Sequence, residues 1–246
     1  MSIRRIAIAG ATGNLGPAIL TALRSSKQFD VTVLTRTGSS HQFPTDVTVK
    51  YVDYDNPALL AEANAVVSTL SVFNSDVQKA LVDASVAAGV KRFLPSEFGS
   101  STENPKVQAI PIFGAKLQLQ EYLRAPEFTY SLLFCGPFLD WGLSTGMLAD
   151  VKNKSAVLRD GGNVLFSASR LSAVGQAVVG ILSHPVETAN NRLFLVDIGV
   201  ISKFLFRAIF GEGYGGKFDK VDNELLGVEG LDANGLRDVV RSVLNA

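Results

Sequence analysis

The apolar run Ile6-Ala7-Ile8-Ala9 passes directly into Gly10-Ala11-Thr12-Gly13-Asn14-Leu15-Gly16, after which Ile19, Ala22 and Leu23 join Leu15 at helical spacing. No other stretch constrains the chain as strongly. A strand, a glycine-rich turn and a helix start, in that order, make a cradle for phosphate. The glycines let the backbone turn tightly and approach a pyrophosphate, and the N–H groups and dipole at the helix start favour its negative charge. The spacing is GxxGxxG and not the GxGxxG fingerprint, since position 11 is Ala11. Glycine-rich turns also serve as plain β–α connections, but both flanks here have the context that nucleotide binding requires.

Strand signals at 31–34, 47–52, 65–68, 92–94 and 130–134 alternate with helical patterns at 56–63, 77–88 and 115–124. Repeated βα units of this length predict an α/β fold, a Rossmann-type doubly wound parallel sheet with helices on both faces. After about residue 150 the pattern changes. A β-hairpin is expected over 156–166, turning at Asp160-Gly161-Gly162-Asn163, then a helix at 172–182, a strand at 192–196 and a last helix at 234–244. The glycine-rich 211–216 segment lacks a preceding strand and reads as a loop, not a second phosphate site. Residues 1–150 are therefore the expected dinucleotide-binding unit, and 151–246 a reduced C-terminal cap region interleaved with the sheet, its last helix packed on the core.

Composition narrows the chemistry. With 23 basic and 23 acidic side chains in 246 residues, the chain lacks the basic excess of a general nucleic-acid surface. The lone Cys135 cannot form an internal disulfide or a thiolate metal cluster, and it fits a reducing compartment. His41 and His184 are too few and too isolated for a histidine-based metal site. No apolar run approaches the roughly 18 residues of a membrane span. Arg4-Arg5 and the apolar run after them superficially resemble a signal peptide, but that run is too short and reads as the first strand. A cytoplasmic protein, monomeric or homodimeric, is expected.

Several residues fall where such a sheet binds its ligand, beyond the carboxyl ends of the strands. Arg36 ends the second strand, where the fold meets the adenosine ribose. An acid there suits a 2′-hydroxyl, whereas an arginine offers a charged donor fork to a 2′-phosphate and so favours NADP over NAD. Asp53 could touch the adenine amino group or be a plain turn carboxylate. Thr69, Leu70 and Ser71 follow the fourth strand and can line the pyrophosphate and the nicotinamide ribose, or cap a helix. Pro95-Ser96-Glu97-Phe98-Gly99 follows the fifth strand. Phe98 could cover the nicotinamide, and Glu97 could contact the cofactor or act as a cap. Phe113, Phe138 and Trp141 could line an apolar substrate wall or be ordinary core aromatics. Lys116 reads by composition as an exposed helix lysine. Buried among Phe113, Leu117 and Leu119 it would instead be desolvated and suited to acid–base work or to holding the nicotinamide ribose.

Together the 10–16 turn, Arg36, Lys91-Arg92-Phe93-Leu94-Pro95-Ser96-Glu97-Phe98-Gly99 and Lys116 resemble the NmrA-like, isoflavone reductase-like branch of atypical short-chain dehydrogenases, over about residues 1–145. The wording of 136–143 is most similar to fungal members. The resemblance implies NADP(H) bound across the sheet edge by Gly10, Thr12, Gly13, Asn14, Leu15, Gly16, Arg36, Asp53, Thr69, Leu70, Ser71, Pro95, Ser96, Glu97, Phe98 and Lys116. It also implies that Lys116 is the catalytic residue. Position 112, where a catalytic tyrosine would stand in common short-chain reductases, is Ile112. The chain departs from the family between Ile201 and Gly211, a segment short compared with relatives, so the substrate cap is expected to be reduced to the hairpin, the loop around Gly211 to Phe218 and the last helix. The expected activity is NADPH-dependent reduction of an apolar, aromatic or polycyclic small molecule. A redox-neutral isomerase using the same site and a non-catalytic NADP-binding redox sensor are the alternatives.

Overall fold

In the computed structural model, residues 2–52, 57–71, 75–124, 128–155, 165–195, 198–201, 218 and 220–245 are described. The N-terminal half runs β1 (Arg5–Ala9), α1 (Gly16–Ser26), β2 (Asp30–Arg36), β3 (Thr48–Val52), β4 (Ala65–Ser68), α2 (Ser75–Ala87), β5 (Arg92–Leu94), α3 (Pro105–Gln108), α4 (Gly114–Tyr122), β6 (Thr129–Phe134) and α5 (Leu139–Ser144). It continues through β7 (Leu165–Ala168), α6 (Leu171–Ser183), β8 (Asn191–Phe194), β9 (Ile198–Ile201), α7 (Asn223–Leu226) and α8 (Ala233–Leu244).

Seven strands form one sheet in the order β3-β2-β1-β4-β5-β6-β8, and every pairing is parallel. The expected doubly wound sheet is thus the observed one. Its strand order reverses between β1 and β4, the place where ligands of such sheets bind.

Alternation along β1 feeds two cores. Ile6 and Ile8 join Ile19 and Leu23 of α1 and Val174 and Val178 of α6 on one face. Ala7 and Ala9 join Leu81 and Val82 of α2 and Leu119 and Leu123 of α4 on the other. Gly175 lets α6 lie close on α1, since a Cβ there would stand 2.7 Å from the Ala18 carbonyl oxygen. The last helix, α8, does not lie on the sheet. Its Leu236 and Val239 pack with Leu139 and Leu143 of α5, Leu148 and Phe166.

Two local expectations change. The 56–63 helix is a single 3-10 turn, Pro57–Leu60, which buries Leu60. The second arm of the expected hairpin is strand β7, but its partner among the described residues is β9, in antiparallel register from Leu165↔Ile201 to Ala168↔Ile198. The first arm and the turn, 156–164, lie outside the described residues, as do 202–217.

Arg92 is fully buried at the start of β5, away from the ligand edge. Its guanidinium donates to Thr129 Oγ1 (2.7 Å), Ser131 Oγ and Thr188 Oγ1 (2.9 Å each) and the Pro185 carbonyl. It ties β5 and β6 to the turn before β8, with neutral acceptors doing what a carboxylate usually does for a buried cation. No helix among the described residues is long and apolar enough to cross a membrane.

Candidate active site

The cradle forms at the carboxyl end of β1. Gly10 has φ +84°, and a Cβ there would press on Thr69, 2.7 Å from Oγ1. At Gly16 a Cβ would overlap the Gly10 carbonyl and stand 2.6 Å from Ala11 Cα. Both glycines are therefore required by the turn itself. Gly13 differs: its N–H donates to the Gly10 carbonyl (3.0 Å), and a Cβ would meet only that oxygen, at 3.5 Å. The turn is locked to β4, because the Thr69 N–H and hydroxyl both donate to the Ala9 carbonyl at 2.9 Å. α1 starts without a side-chain cap and carries a proline in its first turn. Pro17 has no N–H, and the Ala18 and Ile19 N–H groups donate to the Leu15 carbonyl (3.1 and 3.2 Å), so that the Gly16 N–H is the one at this helix start that water or an anion can meet.

A cleft of about 280 Å³ opens here, lined by Gly10, Thr12, Gly13, Arg36, Thr69, Leu70 and Ser71, and by Leu34, Thr35, Phe43 and Val77. Seven of the expected cofactor residues thus share one wall system. Arg36, exposed, is the one charged side chain lining the cleft among the described residues. Asn14 is exposed beside the turn, whereas the Leu15 side chain is buried in the core, so Leu15 can offer a cofactor only its backbone. Asp53 lies outside the described residues. A larger cleft, about 810 Å³, lies between the outer sides of α1 and α6. His184 is its one titratable lining residue.

The second half of the site is built at the ends of β5 and β6. Lys116 is buried, 9% exposed, which overturns the compositional expectation of a solvated helix lysine. Its ammonium donates to the Glu97 carbonyl. Glu97 itself is 1% exposed. Its Oε1 accepts from Gln120 Nε2 (3.0 Å), which also donates to Thr102 Oγ1 (2.6 Å), while Oε2 has no partner. Burial pushes the Glu97 carboxyl well above the usual carboxylate range, against the opposing pull of the Lys116 charge and the Gln120 bond. Its side chain is neither a cap nor a surface contact for a cofactor, contrary to expectation. Phe98 is buried in the core cluster that holds Leu94, Leu133 and Cys135, so its ring is mostly shielded. Pro95 is buried and Ser96 half-buried. Phe113 and Trp141 are half-buried, and Phe138, also half-buried, packs against the same cluster as Phe98. Burial also pushes the Cys135 thiol up to about 12, partly offset by Lys116.

Residues 2–195 match the sequence model of the NmrA-like family. The chain belongs to that family. The oxidoreductase aprR of Aspergillus flavus is 34% identical over 201 residues, which cover 78% of this chain and 68% of that protein. The oxidoreductase poxI of Penicillium oxalicum is 33% identical over 201 residues, covering 77% and 64%. This NmrA-like protein thus spans about two thirds of the length of these relatives. Among solved structures, the NADPH-dependent quinone oxidoreductase QOR2 of Escherichia coli, complexed with NADPH, superposes with a TM-score of 0.70 at 16% identity, covering 98% of this chain and 99% of that one. That likeness is one of fold.

Three residues of the NmrA-like site were not legible beforehand. Phe43 and Val77 line the cleft from segments with no motif. Gln78 of α2 is buried and accepts at Oε1 from Ser68 Oγ (3.2 Å) and the Ser96 N–H (3.4 Å), joining the ends of β4 and β5. A long polar side chain on the inner face of α2, in line with Leu81, Val82 and Ser85, is the signal that could have found it. Among the described residues no group of three metal-ligating side chains converges.

Proposed function

We propose that this protein is an NADPH-dependent reductase of an apolar, aromatic or polycyclic small molecule, reducing a C=C or C=O bond. The observation that carries the proposal is Lys116: a buried ammonium at the carboxyl edge of the sheet, anchored to a neutral backbone carbonyl and paired with no carboxylate among the described residues.

The cleft suits a 2′-phosphorylated dinucleotide. Gly13 leaves room for close approach, the start of α1 supplies the Gly16 N–H, and Arg36 brings positive charge with no acid among the described lining residues. In this reading Gly10, Thr12, Gly13, Asn14, Leu15 and Gly16 hold the pyrophosphate, and Arg36 the 2′-phosphate. Thr69, Leu70, Ser71, Pro95 and Ser96 border the remainder. Residues 1–150 form the cofactor-binding unit. Residues 151–246 add α6 and β8 to its layers and otherwise supply a reduced cap.

Bound NADPH supplies the hydride. The protein's part is to present Lys116 to the substrate oxygen or to the adjacent carbon, where its ammonium stabilises developing negative charge and delivers a proton. Phe113, Phe138 and Trp141, with Phe98 beneath, provide the apolar wall that orients a flat substrate and excludes water. The names of the oxidoreductases aprR and poxI support an oxidoreductase.

The test follows NADPH absorbance with a panel of aromatic enones and ketones, comparing wild type with Lys116→Ala. Turnover by wild type and its loss in the variant are expected. Equal rates would remove Lys116 from the mechanism. Conversion of substrate with no change in NADPH would favour a redox-neutral enzyme.

A further inference from the structure

The one buried side-chain polar atom without a partner among the described residues is Glu97 Oε2, and it belongs to the residue whose carbonyl holds Lys116. The two facts bear on each other. A carboxylate removed from water is costly unless an opposite charge or several donors meet it. Glu97 has one donor, the neutral amide of Gln120, on one oxygen. The titratable group whose charge acts on it is Lys116 of α4, which acts on Cys135 at the end of β6 as well. The ammonium nevertheless bonds the backbone oxygen of Glu97, and no Lys116–Glu97 ion pair forms among the described residues. A side chain so placed carries its charge poorly, in line with the upward displacement of its titration.

Glu97 is also firmly held. Gln120 clamps its Oε1 to Thr102 Oγ1, and Gln108 Nε2 donates to the Thr102 carbonyl at 2.8 Å. This chain of neutral bonds spans α4, the 97–102 segment and α3. The same segment is stitched to the end of β6, where the Cys135 and Gly136 N–H groups both donate to the Gly99 carbonyl at 3.1 Å.

We propose that Glu97 is the positioning residue of Lys116, working as an un-ionised carboxyl: its side chain fixes the carbonyl that aims the ammonium while withholding the counter-charge that would neutralise it. The site then keeps a net positive charge for an anionic ligand or a developing oxyanion, which an ionised Glu97 would cancel. This rests on the reductase reading for its purpose, but the protonation state of Glu97 can be read without turnover.

The difference infrared spectrum of wild type minus Glu97→Gln near neutral pH should contain a protonated-carboxyl C=O stretch. A carboxylate band in its place overturns the proposal. Stability supplies a second readout. A carboxyl whose folded-state pKa is raised contributes fully below the unfolded value, near 4.5, and that contribution is lost as pH rises through the folded value. Wild type should therefore lose melting temperature relative to Glu97→Gln as pH rises above the ordinary carboxylate range, and parallel curves would refute the assignment.

For positioning, NADPH is titrated by fluorescence into wild type, Glu97→Gln and Glu97→Leu, each checked for folding by circular dichroism. The leucine variant, which removes one of the two acceptors of Gln120 Nε2 and unties Glu97 from it, should bind about tenfold more weakly, and glutamine should restore affinity to within about twofold at every pH tested. A leucine variant that binds as wild type does, or a glutamine variant with a shifted pH dependence, overturns the role. If wild type turns over no substrate the reductase reading fails, and if Lys116→Ala keeps both NADPH affinity and turnover Lys116 leaves the mechanism; in either case the infrared and melting results still decide the state of Glu97.

Discussion

Replacing Gly13 with alanine separates what the turn needs for itself from what it keeps for a ligand. At Gly10 and Gly16 an added Cβ collides with Thr69 or with the backbone of Gly10 and Ala11. At Gly13 it would meet one carbonyl oxygen at 3.5 Å, an ordinary contact, and the backbone there is not in the left-handed region. Gly13→Ala should therefore fold. By restricting the unfolded chain it should add about 0.4–1 kcal/mol of stability, roughly 1–4 °C in melting temperature for a domain of this size. Gly16→Ala forces Cβ to within 2.6–2.7 Å of Ala11 backbone atoms. Strain of that kind costs about 1–3 kcal/mol, and the melting temperature should fall by roughly 2–12 °C. The effect on the ligand runs the other way. In the proposed function, a methyl at Gly13 fills space through which a phosphate oxygen reaches the turn N–H groups. Losing one charge-assisted hydrogen bond, worth about 1.5–3 kcal/mol, weakens NADPH binding by about 10- to 100-fold. The assay pairs a thermal melt of the cofactor-free protein with a fluorescence titration of NADPH. If Gly13→Ala binds NADPH within about twofold of wild type, or melts as low as Gly16→Ala, the turn is not a phosphate cradle of the kind described here.

Two more predictions concern the cofactor and the buried thiol. Arg36→Ala should weaken NADPH binding by about tenfold or more while leaving NADH affinity nearly unchanged, since in the proposed function the lost donor fork serves the 2′-phosphate alone. Equal losses for the two dinucleotides in parallel titrations would refute that placement. With its thiol pushed up to about 12, Cys135 holds a negligible thiolate fraction at ordinary pH. Ellman's reagent should leave the native protein unmodified and react promptly once denaturant unfolds it, and fast labelling of the native state would contradict the burial of this strand end.

How much was legible beforehand depends on how local each signal is. Strands β1, β2, β4 and β5 and the order of the first half follow from period-two and helical spacing within a few residues. The 56–63 helix failed because Pro57 starts a single 3-10 turn, in which Leu60 is the buried residue among those whose burial is described, and the chain then turns into β4. The second hairpin arm was legible as a strand, but its pairing with 198–201 was not, because register across the sheet is decided by which face is buried, not by the nearest turn. Lys116 was misjudged by composition for the same reason, since burial is a property of what lies over a helix.

By itself the sequence determined a glycine-rich turn between a strand and a helix, with an arginine at the next strand end. Each is a contiguous motif whose backbone requirements, glycine above all, are written at the position that needs them. Only the tertiary structure decided that Gly13 is free of the fold's own demands and that Phe43 and Gln78 join the ligand edge. It alone placed the Lys116 ammonium against the Glu97 carbonyl beside a half-satisfied carboxyl. Those outcomes depend on desolvation and on partners brought from separate elements, and neither is encoded in local spacing.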